Sequence, residues 1–321
     1  MSIVTVAIPT LNAGRPFARV LEAIRAQRVT ARVELLVCDS GSTDHTVATA
    51  RQHGARVIEI PSSAFSHGGT RNLLMAQARG DHVAFLTQDA TPAHPGWLAA
   101  LLGAFTAAAD VGLAFGPYRA PEGTSVSVAR EIEAWFASFS DGGLRIDALV
   151  PADRGQPPER FLGHVGFFTD ANGCVARRAW ERVPFRDVAY AEDHLLAQDM
   201  LRAGFAKAFV PGAPVWHAHT YSTRDWLRRS FDEARAVREV YGFTASSRAL
   251  ANNLRGGVAA DLRAARSLAP STGAGPAPSE LLVLRTALAH HGARVVGTLL
   301  AGHSARWPRS VARRLSLEGR P

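Results

Sequence analysis

The sequence predicts an α/β protein, a mostly parallel sheet flanked by helices, with a helical C-terminal extension. Short apolar or β-branched runs at residues 3–10, 33–39, 55–60 and 82–88 alternate with stretches of helical period such as residues 15–27. Thr10, Asp39 and Asp89 fall at three of those strand ends, where open parallel sheets place ligands. The net charge of +8 resides in the last quarter, which sets that segment apart.

In order along the chain, the first run opens with Ile3 and has Pro9 near its end; without a positively charged leader it reads as a core strand and not as an export signal. Residues 111–117 predict a further strand. The pattern then loosens through residues 119–165, where only 128–139 has strong helical period, as in an insertion on the acceptor side. Regular order returns with a strand in residues 171–177, a short helix from Arg178, a helix from Asp193 to Ala203, a strand ending near His219 and an amphipathic helix over 224–241. Residues 269–279 are rich in Pro, Gly, Ser and Ala and predict a linker. Beyond it, apolar residues at 281, 284, 288, 295 and 299 form one helical stripe.

With 47% hydrophobic and 20% charged residues, the composition is that of a folded globular chain and argues against disorder or a membrane channel. No apolar stretch reaches the roughly 18 residues that span a bilayer, and the two cysteines, Cys38 and Cys174, lie in strand-like runs that suit reduced thiols. A cytoplasmic protein is expected. Residues 248–321 carry eleven arginines against Asp261, Glu280 and Glu318, while the rest of the chain is charge-balanced. That segment is the candidate for meeting an anionic surface.

Five segments carry chemistry. Asp39 ends a strand before a Ser-Gly-Ser-Thr turn and can accept a hydrogen bond from a pyrimidine N–H; a turn or cap aspartate is the plain alternative. Gly68 and Gly69 precede a helix bearing Arg71, a ready anion site, or else a glycine loop with a surface arginine. Gln88 and Asp89 end an apolar strand, where Asp89 can hold Mg2+ or Mn2+ against a diphosphate. Glu192 and Asp193 stand where a helix begins, placed for a general base or for complementing the helix dipole. His217 and His219 alternate on one strand face as candidate metal ligands; a packed or solvent-facing histidine is the commoner case.

Together and in this order, these segments resemble family-2 glycosyltransferases of the GT-A (Rossmann-like) fold across residues 3–241. AIPTLNAG resembles the nucleotide-binding first strand, with Pro9 and Thr10; CDSGSTDHT the base-binding aspartate segment; TQDA the DXD-type metal site; AED the catalytic-base motif; VWHAHTYS the late histidine that completes metal binding. HGGTRN, TQDATP, FFTDANGCVARRAWERVPF, AEDHLLAQDMLRAGF and HAHTYS are most similar to bacterial rhamnosyltransferases that use dTDP-L-rhamnose. One position departs: Gln88 stands where DXD begins, leaving the metal to Asp89, a histidine and the donor phosphates.

The resemblance implies a GT-A domain over residues 1–245 and a basic helical extension over 246–321. It implies single displacement with inversion: Asp193 deprotonates an acceptor hydroxyl on a glycan or lipid-linked glycan, while the metal and Arg71 stabilise the departing diphosphate. Glu192 would orient the acceptor or Asp193, and Asp170 and Asn172 would line the donor-sugar pocket. A UDP- or GDP-hexose donor and a non-catalytic nucleotide- or glycan-binding module are the alternatives. An anionic membrane face is the expected partner of the basic extension; nucleic acid is not an expected partner.

Overall fold

The structure is a computed structural model and describes residues 2–268 and 279–317. The expected linker at 269–279 lies outside the described residues except for Ser279. The chain forms two compact units: residues 1–119 with 135–217, and residues 120–134 with 218–321. The expected boundary near 245 thus falls inside the second unit.

The first unit is built on β1 (Ile3–Thr10), α1 (Phe17–Arg25), β2 (Arg32–Asp39), α2 (Thr46–Gln52), β3 (Arg56–Glu59), α3 (His67–Gln77) and β4 (His82–Leu86). It continues through β5 (Thr91–Pro92), α4 (Trp97–Ala107), β6 (Val111–Phe115), β7 (Tyr118–Arg119) and α5 (Val126–Ala137), whose first nine residues belong to the second unit. β8 (Arg145–Asp147), β9 (Asn172–Ala176), α6 (Arg177–Trp180), α7 (Glu192–Arg202), β10 (Ala206–Phe209) and β11 (Val215–Trp216) complete it.

Eight strands form one sheet in the order β3-β2-β1-β4-β9-β6-β10-β8. The pairs β1–β2, β1–β4, β2–β3 and β6–β10 are parallel, while β9 and β8 run antiparallel to their neighbours. β5, β11 and β7 make a small second sheet. The expectation of a mostly parallel sheet holds. The reversal of β9 has a functional result: its first residue, Asn172, pairs with Leu86 at the end of β4, so the segment before β9 arrives at the same edge as the ends of the parallel strands.

Burial on both faces explains the apolar character of β1, β4 and β6, whose residues Val4, Val6, Ile8, Val83, Phe85, Leu86, Leu113 and Phe115 are excluded from solvent. α1 covers one face with Phe17, Val20, Leu21 and Ile24, spaced three and four apart. Each such side chain contributes about 2 kcal/mol of burial. Cys38 and Cys174 are buried free thiols.

The sole lysine, Lys207, lies in β10 and is 1% exposed. Its Nζ donates to the carbonyls of His164 and Phe167, sits 3.2 Å from Asp147 and lies over the Phe115 ring. Burial pushes its amine down to about 8, against the opposing field of Asp147. The residue pins the 164–167 loop to the sheet, a role its rarity in the composition does not reveal.

The second unit contains the start of α5 with α8 (Thr223–Tyr241), α9 (Ser247–Leu268), α10 (Glu280–His303) and α11 (Arg309–Leu315). Ser222 caps α8 by accepting from Asp225 N, and Gly242 in the left-handed region ends it. α8 and α10 approach closely at Gly297, where an added Cβ would lie 2.3 Å from Leu227 O. No described helix is long and apolar enough to cross a membrane.

Candidate active site

Two strand-end loops meet first. Asn12 N donates to Ser42 Oγ, Thr43 N donates to Asn12 Oδ1, Ala13 N donates to Thr46 Oγ1 and Gly14 N donates to Asp44 Oδ2. These bonds stitch the loop after β1 to the loop after β2. Asn12 adopts φ 47°, a left-handed conformation that asparagine tolerates. Beneath the loops, Asp39 accepts from Thr10 Oγ1, Ser42 Oγ, Gly41 N and Ser42 N. Its four lone-pair positions are occupied, so a pyrimidine N–H reaches it only when a Thr10 or Ser42 hydroxyl rotates away, which a hydroxyl does readily.

The structure gives four of the expected donor contacts other work. Gln88 accepts from Leu11 N and donates to Leu11 O, tying the end of β4 to the end of β1. Gly68 is a packing position: a Cβ there would lie 2.0 Å from Arg186 O. Asn172 has no exposed surface; its amide accepts from Trp97 Nε1 and donates to Pro117 O and Ala213 O. Arg71 is 3% exposed, with its guanidinium against both Asp170 and Glu192. A buried arginine so engaged is committed to carboxylates and does not face a phosphate.

The Arg71 cluster sets the charge state of the site. One guanidinium serves two buried carboxylates beside a third, Asp193, so the carboxylates are driven apart in acidity. Burial pushes Asp170 well up, with Glu192 and Asp193 adding to the rise and Arg71 opposing it. Burial likewise raises Asp193, against the field of His194, with Glu192 adding to the rise. Burial alone would raise Glu192 also, but Arg71 and His67 hold it below the usual range.

Asp193 is half-buried, and its Oδ1 accepts from His194 N at 2.8 Å. Immediately before the pair, Ala191 adopts φ 63°, ψ 34°, a conformation that costs an alanine about 1 kcal/mol. That turn sets the direction in which the first turn of α7 presents Glu192 and Asp193.

On the other side of the site, Asp89 is exposed at the turn after β4, and its Oδ1 lies 3.5 Å from Nδ1 of the buried His217. The metal that the DXD-like segment implies fits this pair. Two ligands of one divalent ion with bonds of about 2.1 Å stand roughly 3.0–3.4 Å apart, so this carboxylate oxygen and imidazole nitrogen need only a slight approach to share one. His219, two residues further on, belongs to the second unit and stacks on Tyr221.

Between these halves stands Tyr118, which the sequence reading did not single out. Its hydroxyl bonds to Thr169 Oγ1 and its ring meets His217 edge-on at 4.8 Å. Burial pushes its phenol up; the Thr169 bond opposes the rise, and the fields of Asp193, Asp170 and Asp89 all add to it. The fields of three carboxylates from distant segments therefore act on one phenol. No local pattern marks Tyr118, because the groups that act on it come from the end of β4, the segment before β9 and the start of α7.

A sequence model described as Glycosyl transferase family 2 matches residues 5–154. The O-antigen chain rhamnosyltransferase RfbN of Salmonella typhimurium is 31% identical over 236 residues, covering 71% of this chain and 70% of that protein. The O-antigen chain rhamnosyltransferase WbaN of Salmonella anatum is 30% identical over 238 residues, with coverages of 71% and 70%. Among solved structures, the mannosyltransferase PcManGT of Pyrobaculum calidifontis, in complex with GDP-Man and Mn2+, superposes with a TM-score of 0.59 at 17% identity, covering 94% of this chain and 88% of that one. At that identity the likeness is one of fold.

Proposed function

The chain belongs to glycosyl transferase family 2, and from that premise we propose that it transfers L-rhamnose from dTDP-L-rhamnose, with inversion, to a hydroxyl of a glycan or lipid-linked glycan. The observation that carries this reading is a metal-competent pair, Asp89 with His217, whose imidazole meets the Tyr118 ring, in one unit with the carboxylates Glu192 and Asp193 at the start of α7. The rhamnose assignment is supported by the two rhamnosyltransferase relatives and by the HGGTRN, TQDATP and HAHTYS segments.

In this reading Asp193 takes the proton from the acceptor hydroxyl as it attacks the anomeric carbon, and raised basicity at that carboxylate favours the transfer. Glu192 stays ionised on Arg71 and fixes the start of α7. Arg71 organises the carboxylates and leaves the diphosphate to other groups. Asp170, held by Arg71 just before β9, borders the donor sugar. Asp89 and His217 would hold Mg2+ or Mn2+, which would supply positive charge to the departing diphosphate. Thr10, Asp39 and the Asn12–Ser42 loop take the nucleotide base at the ends of β1 and β2.

A panel of nucleotide sugars, read by binding and slow donor hydrolysis, tests the donor. dTDP-L-rhamnose is expected to be preferred over UDP-glucose, UDP-GlcNAc and GDP-mannose. Equal or better use of a UDP- or GDP-sugar overturns the rhamnose assignment and leaves sugar transfer standing. Turnover of none would favour a binding module.

The same proposal extends to location, a cytoplasmic enzyme docking on the inner membrane face. In α10, Leu281, Leu288, Val296 and Leu299 are exposed along one helical face with Arg285, and Arg306, Arg309, Arg313 and Arg314 are exposed beyond it. Each arginine near an anionic leaflet contributes about 1 kcal/mol. Cosedimentation with anionic vesicles at low salt is expected for the full chain and lost in Leu281→Glu/Leu288→Glu. Absence of sedimentation in the unsubstituted chain would refute docking.

A further inference from the structure

We propose that the helical unit holds a second divalent-ion site, of the nitrogen and oxygen type that suits Zn2+, formed by Glu131 of α5 with His290 and His291 of α10. The three side chains bring their ligand atoms within 4.8 Å of one another, with both histidines buried and Glu131 half-buried. Glu131 Oε2 lies 3.2 Å from His290 Nε2, and Glu131 Oε1 lies 3.5 Å from His291 Nδ1. The second distance is long for a hydrogen bond. Both match the separation of two ligands around one tetrahedral ion, about 3.3 Å for bonds near 2.0–2.1 Å.

The surroundings of His291 strengthen the assignment. Its Nε2 is 2.9 Å from Asp261 Oδ2, a carboxylate with no exposed surface that Ser127 Oγ and Arg130 Nε also hold. An ionised carboxylate only accepts, so Nε2 carries the proton and Nδ1 turns toward Glu131. There it needs either a second proton or a cation between it and the oxygen. Carboxylate behind imidazole behind ion is the arrangement that fixes a ligating histidine's tautomer and raises its basicity. Ser127, Arg130, Glu131 and Asp261 all come from segments that local reading would treat as ordinary amphipathic helix.

One group opposes the ion. Arg294 also donates to Glu131 Oε2, so the two carboxylates already face two guanidiniums. The Arg294 side chain is 37% exposed and borders a cavity of about 400 Å3 that Glu131 and His291 also line. That cavity gives the guanidinium a place to swing into, and gives an ion and its remaining water ligand a route in.

The test is calorimetric titration of the full chain carrying Asp89→Ala, which removes the other candidate metal site, with Zn2+ as the probe and Co2+ absorption as a report of coordination. One equivalent of Zn2+ and a tetrahedral Co2+ spectrum are expected. Glu131→Gln and His291→Ala should each abolish the saturable equivalent, and Asp261→Asn, which touches no ion, should weaken it about 10- to 100-fold. Circular dichroism reports folding; should His291→Ala not fold, the near-isosteric Glu131→Gln decides. No saturable Zn2+, which would mean that a second proton on His291 fills the gap, overturns the proposal. So does Zn2+ binding that survives Glu131→Gln.

Discussion

Asp193→Asn is expected to slow sugar transfer by about 10²- to 10⁴-fold, the usual worth of a general base, equivalent to roughly 3–5 kcal/mol of barrier. Asparagine keeps the shape and can still accept from His194 N, so donor affinity should stay within about threefold and the loss should fall on the transfer step. The pH profile gives a second reading. A base works only when deprotonated, so activity falls as pH drops through its pKa; burial and Glu192 move that limb above the ordinary aspartate range. Asp193→Asn should remove the limb as well as the rate. Glu192→Gln takes a charge from the pair with Arg71 and should act on stability and on the Asp193 pKa more than on proton transfer itself. If Glu192→Gln gives the large loss and Asp193→Asn the small one, the two roles are exchanged.

The fold was legible where the signal is local. β1, β2, β4 and β6 are apolar because both faces are covered, and their runs stand out in the sequence within a residue or two of their observed ends. The strand-end residues were legible for the same reason: once the strands are placed, Thr10, Asp39 and Asp89 must lie at one edge. Pairing across long separations was not legible. Arg71 next to two glycines at a helix start reads as an anion site, and only the fold reveals that Asp170, 99 residues on, reaches its guanidinium first. Asn172 was expected at the donor-sugar pocket from the family resemblance, whereas its amide satisfies Trp97 and two carbonyls of the core. The second unit defeated a linear reading for a topological reason: residues 120–134 leave the first unit and join helices that begin a hundred residues later.

Asp89→Ala is expected to abolish divalent-dependent donor binding, and EDTA to inhibit the unsubstituted enzyme. The sequence 87–92 contains no other carboxylate, and Gln88, at the position where a DXD motif has its first acid, has both ends of its amide bound to the Leu11 backbone. To turn and take over as a ligand it would have to give up both of its bonds to Leu11. His217 remains in the variant, but a single neutral imidazole holds Mg2+ or Mn2+ poorly, because these hard ions prefer anionic oxygen. Titrating dTDP with and without Mn2+ separates the two contributions. The unsubstituted chain should bind more tightly with the metal, whereas Asp89→Ala should bind with one metal-independent affinity set by the base contacts at Thr10, Asp39 and the Asn12–Ser42 loop. Full transfer activity in EDTA would exclude the metal reading. The charge on the diphosphate would then fall to backbone N–H groups and helix dipoles, because Arg71 is already held by Asp170 and Glu192.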